Sequence, residues 1–327
     1  MRIAVVGAGL SGLVFARELA DLGDITVFEK SRGYGGRMAT RYEQGFEFDH
    51  GAQFFTARSP AFQKYLQPLI DRGVVACWHA RFAELDKNQV STTRDWNDAY
   101  SHFVGKPRMN AIGQHLADGL EIRRNTTVAA LQREADGWNL ADGDGNALGR
   151  FDWIVASMPA AQAAALAPAD SSLRRAATNT RMLACYALML GFDDPLSLPW
   201  QAALVRGADI SWVSVNSSKP GRPGQFTLVV HSTNAYAEAN IDGDPKDVRE
   251  HLLGETSSVV GIDCGSATVC RLHRWRYANA DKQEGTPFFI DPETGLAASG
   301  DWFRRGRVEA AFTSGFELAA ELRGLFA

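Results

Sequence analysis

The chain has 327 residues, enough for one large domain or two interleaved ones, with ample apolar residues for a core. A net charge of −4 gives no sign of general nucleic-acid binding, and no apolar run is long enough to span a bilayer. Cys77, Cys185, Cys264 and Cys270 lack C-x-x-C spacing, so they read as buried or half-buried thiols, not as a metal site or disulfides. The chain opens straight into a strand with no room for a signal peptide, and a cytoplasmic protein is expected.

Ile3–Val6 is a short continuous apolar run, as expected of a parallel strand buried on both faces. Gly7, Gly9 and Gly12 follow as G-x-G-x-x-G, enclosing Leu10 and Ser11. Gly7 permits a tight turn, Gly9 lets the backbone approach a pyrophosphate, and Gly12 lets the next helix lie close to the strand. That helix offers free N–H groups and a positive dipole end to phosphate. Leu13, Ala16 and Ala20 share one of its faces, and Asp21–Asp24 ends it. Ile25–Phe28 is a second strand, with Glu29 at its end, about 20 residues past the glycines, where a ribose-binding acid belongs. The strand, helix, second strand and terminal acid together predict dinucleotide binding.

Further along, Tyr42–Asp49 carries Phe46 and Phe48 in alternation, a half-buried strand. Ser59 and Pro60 start a helix that runs to about Ile70. Val74–Phe82 reads as one strand containing Trp78, and Asp95–His102 contains Trp96 and Tyr100. Ala111–Ala117 is a helix, Leu120–Arg123 a strand, and Trp138–Asn146 a hairpin with a glycine-rich turn. Phe151–Ala156 is another strand, and Ala160–Ala169 an alanine-rich helix. Cys185–Phe192, Ile210–Asn216, Phe226–Ser232 and Thr268–Trp275 read as strands, and Pro245–Glu255 as a helix. Leu296–Phe303 is a strand bearing Asp301, and Val308 opens the final helix.

The run Lys30–Arg37, with Gly35, Gly36 and Arg37 followed by Met38, resembles the G-G-R signature of the FAD-binding amine oxidase and phytoene desaturase superfamily. The resemblance continues in the D-x-G loop at Asp49–Gly51, in Gly105–Met109, in Asp152–Pro159 and in the pair Gly300-Asp301 and Val308–Gly315. It implies FAD as a non-covalent cofactor, since no cysteine follows Cys270 to form a cysteinyl flavin. The FAD-contacting residues it implies are Gly7, Gly9, Leu10, Ser11, Gly12, Glu29, Lys30, Gly36, Arg37 and Met38 near the diphosphate and ribose, with Val128 at the adenine. Gly51, Ala52, Gln53 and Phe54 would lie beneath or at the edge of the flavin ring. Gly300 and Asp301 would meet the ribityl or pyrophosphate part, and the helix start at Val308 and Ala311 would point at the flavin N1–C2=O edge. The implied fold is α/β: a Rossmann-type FAD-binding domain (1–56, 105–160 and 287–327) interleaved with an α+β substrate domain (57–104 and 161–286) on a mixed antiparallel sheet. The flavin would lie at the seam. Trp200, Trp212, His231, Trp275 and Tyr277 would form the floor of the substrate domain.

Within that superfamily the whole chain resembles the bacterial renalase family, on Ser31–Arg41, Phe48–Phe55, His273–Ala278 and Ser299–Trp302. That resemblance implies oxidation of 1,2- or 1,6-dihydro-NAD(P) to NAD(P)+, with electrons passing through FAD to molecular oxygen to give hydrogen peroxide. The partners are then a dihydronicotinamide dinucleotide and oxygen, with neither nucleic acid nor membrane. Hydride loss from a dihydropyridine needs no protein base, and no acid/base dyad stands out. Trp96, Tyr100, His231, Trp275, Arg276 and Tyr277 are the candidates for shaping the pocket. Arg271, Arg274, Arg276, Arg304, Arg305 and Arg307 are either a cationic rim for the substrate phosphates or a solvated surface cluster. A flavin amine oxidase is the alternative, although neither its aromatic cage nor its lysine near flavin N5 is identifiable in the sequence. A non-catalytic FAD-binding redox sensor is a further alternative.

Overall fold

The computed structural model of the chain describes residues 1–326; Ala327, the last position of the expected FAD domain, lies outside the described residues. The chain divides into two units. The first comprises Met1–Arg37, Gly113–Met182 and the residues from Asn279 on; the second comprises Met38–Ile112 and Leu183–Ala278.

In the first unit Ile3, Ala4 and Val5 are fully buried, so Arg2–Val6 has neighbours on both sides. The sheet order is Phe288–Asp291, Leu296–Ser299, Trp153–Ala156, Arg2–Val6, Asp24–Glu29 and Glu121–Arg124. Every pairing is parallel except that of the edge strand Phe288–Asp291. An antiparallel sheet of Ala130–Glu134, Gly137–Ala141 and Ala147–Phe151 adds Trp138, Leu140 and Phe151 to a core that holds Ala4, Phe28 and Ile154. Helix Leu10–Glu18 buries Leu13, Val14 and Phe15, whereas Ala20 lies exposed beyond its end. It packs on the last helix, Val308–Leu325, where a Cβ on Gly315 would come within 2.2 Å of the Ser11 carbonyl oxygen. Only glycine permits that approach.

The second unit is built on a seven-stranded mixed sheet, ordered Val269–Ala280, Met182–Phe192, Phe226–Ser232, Ile210–Val215, Ala202–Arg206, Arg81–Asp86 and Gln89–Asp95. Its two faces are sorted by the period-2 alternation of strands. Tyr186, Leu188, Leu190, Val213, Val215, Leu228 and Val230 form one core with Leu252 and Val259 of helix Pro245–Val260. Trp200 belongs to that core. It therefore does not join Trp212 in a substrate floor, as the sequence reading expects. Residues of the opposite parity, among them Trp212, Ser214 and His231, carry the polar and aromatic groups described below.

The expected division at 56, 105, 160 and 287 differs from these units, for reasons of packing. Residues 38–56 cluster with the second unit because Phe46 and Phe48 share a core with Met189, Val229 and Val269. Residues 161–182 stay with the first; the Ala160 amide donates to Met182 Sδ at 3.3 Å, and helix Ala160–Leu166 packs on Ser172–Thr178. The expected strand Val74–Phe82 is two strands, Val75–Cys77 and Arg81–Asp86, with Trp78 buried in the break. All four cysteines are free, and burial pushes the Cys185 thiol up to about 12. Among the described residues no helix is long and apolar enough to cross a membrane.

Candidate active site

In the first unit the glycine motif forms a cradle. Gly7 turns with φ +115°, and its amide donates to Phe28 O at 2.8 Å, tying the first strand's end to the second. A Cβ on Gly12 would lie 2.3 Å from Gly7 O, so this position is closed to any other residue, whereas a Cβ on Gly9 would have nothing within 4 Å. The space beside Gly9 is open at the N-terminus of helix Leu10–Glu18, which has no side-chain cap and no acid in its first turn. The Ser11 hydroxyl is buried there without a hydrogen-bond partner. A helix start with no side-chain cap, an unsatisfied hydroxyl and room for a group beside the backbone fit an FAD diphosphate.

The second glycine run is fastened to the first. The Gly35 amide donates to Ala8 O at 2.9 Å, and a Cβ on Gly36 would lie 3.3 Å from Gly9 Cα. Glu29 is buried, and its carboxylate accepts the amides of Ala8 and Ser31, each at 2.8 Å. The Thr126 amide donates to Glu29 O, which brings the loop carrying buried Val128 beside the expected ribose acid. Lys30 is exposed and reaches Gln162. Arg37 and Asp301, expected to contact the phosphate and the ribityl chain respectively, bind each other through two hydrogen bonds of 2.9 and 2.5 Å. The Gly300 amide donates to Ser314 Oγ, and Val308 and Ala311 are half-buried at the start of the last helix. Leu10 is buried beneath the loop.

In the second unit the D-x-G loop is organised by Asp49. Its carboxylate accepts from Arg222 Nε and Nη2 at 3.1 and 2.5 Å, from the Met109 amide at 3.0 Å and from Thr40 Oγ1 at 2.7 Å. Lys219 Nζ lies 3.7 Å away. Burial alone would raise the Asp49 carboxyl, but the charges of Lys219 and Arg222 and these hydrogen bonds outweigh it and hold it below the ordinary range. Burial acts the other way on Lys219, and with Arg222 nearby it brings the ammonium down to about 7. Met38 is buried near the start of this unit.

Gln53 links this charge cluster to the sheet. Its amide nitrogen donates to Asp49 O and Gly51 O, and its carbonyl oxygen accepts from Ser214 Oγ at 2.8 Å and Lys219 Nζ at 3.1 Å. Gly51 and Ala52 are half-buried around it. His50 O accepts from Trp275 Nε1 at 2.9 Å and faces His231 Nε2 at 3.3 Å. The His50 ring lies 5.2 Å from Trp275 and 4.7 Å from His273. All three imidazoles are driven neutral chiefly by burial, His50 to about 3, His231 and His273 to about 4.

Phe54 belongs to a second aromatic group with Trp96, His102 and Trp212. Trp96 and His102 are stacked at 3.7 Å. Of the six pocket candidates, His231 and Trp275 meet at the D-x-G loop and Trp96 lies under Phe54. Tyr100 is 54% exposed, its hydroxyl bound by Arg58, so it forms no buried wall. Arg276 is exposed and paired with Asp242, and Tyr277 is half-buried. Of the expected rim arginines, Arg271 binds Glu43 and Arg274 binds Ile241 O in the second unit, while Arg304, Arg305 and Arg307 belong to the first. Sequence reasoning misses Asn216, at the end of an expected strand, and Lys219 and Arg222 in the polar run after it, where Pro220 and Gly221 are turn residues. It also misses the ring contacts of His50, His102 and His273, for which the histidines themselves are the available signal.

Comparison with known proteins agrees with this geometry. Residues 5–69 match the NAD(P)-binding Rossmann-like domain, and residues 74–323 match the model of the flavin containing amine oxidoreductases. The 4,4'-diapophytoene desaturase (4,4'-diaponeurosporene-forming) of Staphylococcus aureus (strain Newman) is 37% identical over 78 residues, 20% of this chain and 16% of the desaturase. The chain thus spans about a sixth of the length of the curated relatives it matches, at 16%. Among solved structures, reduced UDP-galactopyranose mutase superposes with a TM-score of 0.77 at 11% identity, covering 99% of this chain and 94% of the mutase. Cyclohexylamine oxidase from Brevibacterium oxydans IH-35A gives 0.72 at 13% identity, covering 99% of both chains. These two likenesses show a shared fold, and the family match extends to the flavin cofactor. The chain belongs to the family of flavin containing amine oxidoreductases, and its cofactor is FAD.

Proposed function

We propose that this protein oxidises 1,2- or 1,6-dihydro-NAD(P) to NAD(P)+, with molecular oxygen as the final acceptor and hydrogen peroxide as the product. FAD, when bound, supplies the two-electron acceptor that takes hydride and passes electrons to oxygen. Giving up hydride turns a dihydropyridine into a pyridinium ion with no proton lost. The chain's residues therefore have to orient the ring and exclude water, with no need for a titrating base. The observation that carries this reading is the aromatic cluster at the D-x-G loop, where the His50 ring lies 5.2 Å from Trp275 and 4.7 Å from His273, His50 O meets Trp275 Nε1 and His231 Nε2, and burial favours the neutral form of all three imidazoles. Neutral imidazoles can hydrogen-bond to a substrate without opposing the positive charge that develops on its ring. The resemblance of Ser31–Arg41 and Phe48–Phe55 to bacterial renalases supports the same reading.

On this reading Gly9, Ser11, Gly12 and Glu29 hold the ADP part of FAD, and Gly51, Ala52 and Gln53 meet the flavin. The cofactor is held without a covalent bond, so denaturation should release all the flavin; flavin that stays with the precipitated chain would contradict this. The main test is anaerobic stopped-flow of the purified yellow protein with 1,2-, 1,6- and 1,4-dihydro-NAD and a panel of amines. Rapid bleaching by the 1,2 or 1,6 isomer, with NAD+ formed, is the expected result.

A second reading, flavin amine oxidase, is favoured by one feature, the buried Lys219 hydrogen-bonded to Gln53. A buried lysine beside the D-x-G loop is the kind of group that reading calls for. Bleaching by an amine and by none of the dihydronicotinamides would establish it in place of the first.

A further inference from the structure

We infer that Arg41, with His50 and His273 beside it, binds a phosphate group of the substrate nucleotide; this rests on the dihydro-NAD(P) reading above. Arg41 lies on strand Thr40–Glu43, opposite Phe48 of the strand Phe46–Asp49. Each acid of this hairpin is already engaged. Glu43 pairs with Arg271, Glu47 with Arg108 and Asp49 with Arg222. Arg41 is half-buried, and among the described residues no hydrogen bond, ion pair or ring contact holds its guanidinium. A partly desolvated cation with no counter-ion attracts an anion.

Its surroundings select the kind of anion. Arg271, His273 and Trp275 alternate along the edge strand Val269–Ala280 and so share a face. Arg271 anchors Glu43, which shares a hairpin face with Arg41 two residues earlier. The charge of Arg41 reaches both imidazoles, helping to keep them neutral. The Nδ1 of His50 is buried with no partner. His273 lies 4.2 Å from the Trp275 ring, so the cation borders an aromatic shelf. A nucleotide offers a flat ring and a phosphate together. A planar guanidinium takes phosphate oxygens through two parallel N–H donors, and a neutral imidazole can add another.

The test compares wild-type holoenzyme with Arg41→Gln and Arg41→Lys. In anaerobic flavin reduction, the Kd is measured for the dihydronicotinamide mononucleotide and for the riboside that lacks the phosphate. A charge-assisted contact corresponds to roughly a tenfold to hundredfold preference for the mononucleotide. Arg41→Gln should abolish that preference and Arg41→Lys retain part of it. Equal effects on both ligands, or no effect on either, would overturn the assignment. Should no dihydronicotinamide reduce the wild-type flavin, the functional reading fails, and calorimetry with inorganic pyrophosphate then decides the site by itself. Pyrophosphate binding that is present in the wild type and lost in Arg41→Gln would uphold it. Binding that is absent from the wild type, or unchanged in the variant, would end it. Flavin content and melting temperature of both variants report whether the fold is kept.

Discussion

Asp49→Asn tests how much the fold of the second unit depends on one carboxylate. The side chains of Asp49 and Arg222 are each 1% exposed, and that of Lys219 is fully buried. Asparagine keeps the size and one acceptor oxygen, so Thr40 Oγ1 or the Met109 amide keeps a partner. What is lost is the anion facing two buried cations, Arg222 at any pH and Lys219 below its value of about 7, so the comparison is made at pH 6. Removing one member of a buried ion pair costs about 3–5 kcal/mol, mostly because the other charge stays behind unpaired. The retained acceptor places this variant near the lower end, about 3 kcal/mol, equivalent to a urea midpoint lower by roughly 1 M for a slope of about 3 kcal/mol/M. The assay is urea unfolding followed by tryptophan fluorescence, with Asp98→Asn as control, because Asp98 pairs with His79 at the surface. Adding Lys219→Met to Asp49→Asn should recover part of the loss by removing the surplus cation. A midpoint shift no larger than the control's would refute the argument, as would a double variant less stable than Asp49→Asn alone.

The glycine cradle gives a paired prediction. Gly9→Ala has free space for its methyl group, so apoprotein stability should hold while FAD retention falls; Gly315→Ala meets the Ser11 carbonyl at 2.2 Å and should lower the melting temperature of the apoprotein. Equal melting losses in the two variants would contradict the geometry. Glu29→Ala should lose bound flavin on gel filtration and, with two amides left unsatisfied, cost about 1–3 kcal/mol of stability; unchanged flavin content would undercut the ribose assignment. For Lys219 the sign follows from its folded value of about 7 against the ordinary 10.5: between these the unfolded chain binds more protons, so its contribution to stability rises with pH across that window. The stability difference between wild type and Lys219→Met, from urea midpoints at pH 7, 8 and 9, should therefore grow in favour of the wild type as pH increases. A difference that stays flat would mean the lysine is not desolvated as the structure has it.

The nucleotide cradle is legible in the sequence because its logic is local. Gly7, Gly9 and Gly12 act on a turn and a helix start within a few residues, and Glu29 answers at the end of the next strand. Even there, reading residues one at a time has a limit. Arg37 and Asp301 each suggest a ligand contact, and 264 positions apart nothing in the sequence says that they bind each other. The second unit is harder to read because its site draws on widely separated segments. The run after Asn216 has the composition of an exposed turn, and the side chains of Lys219 and Arg222 are buried in it only because Asp49, 173 positions before Arg222, arrives with the charge that makes burial tolerable. Trp200 and Trp212 look equivalent as aromatic residues in the sequence, but Trp200, just before strand Ala202–Arg206, packs into the core with Leu252 and Val259, whereas Trp212 lies on the other face of strand Ile210–Val215. Arg41 shows the converse case. Nothing local in the run Ser31–Arg41 sets it apart, and the proposal made for it depends on Glu43, Glu47 and Asp49 being taken by Arg271, Arg108 and Arg222. A charge is informative when its partners are spoken for, and that accounting exists only once the chain has folded. On the proposed function, substrate choice is therefore to be sought in such uncompensated groups around the D-x-G loop.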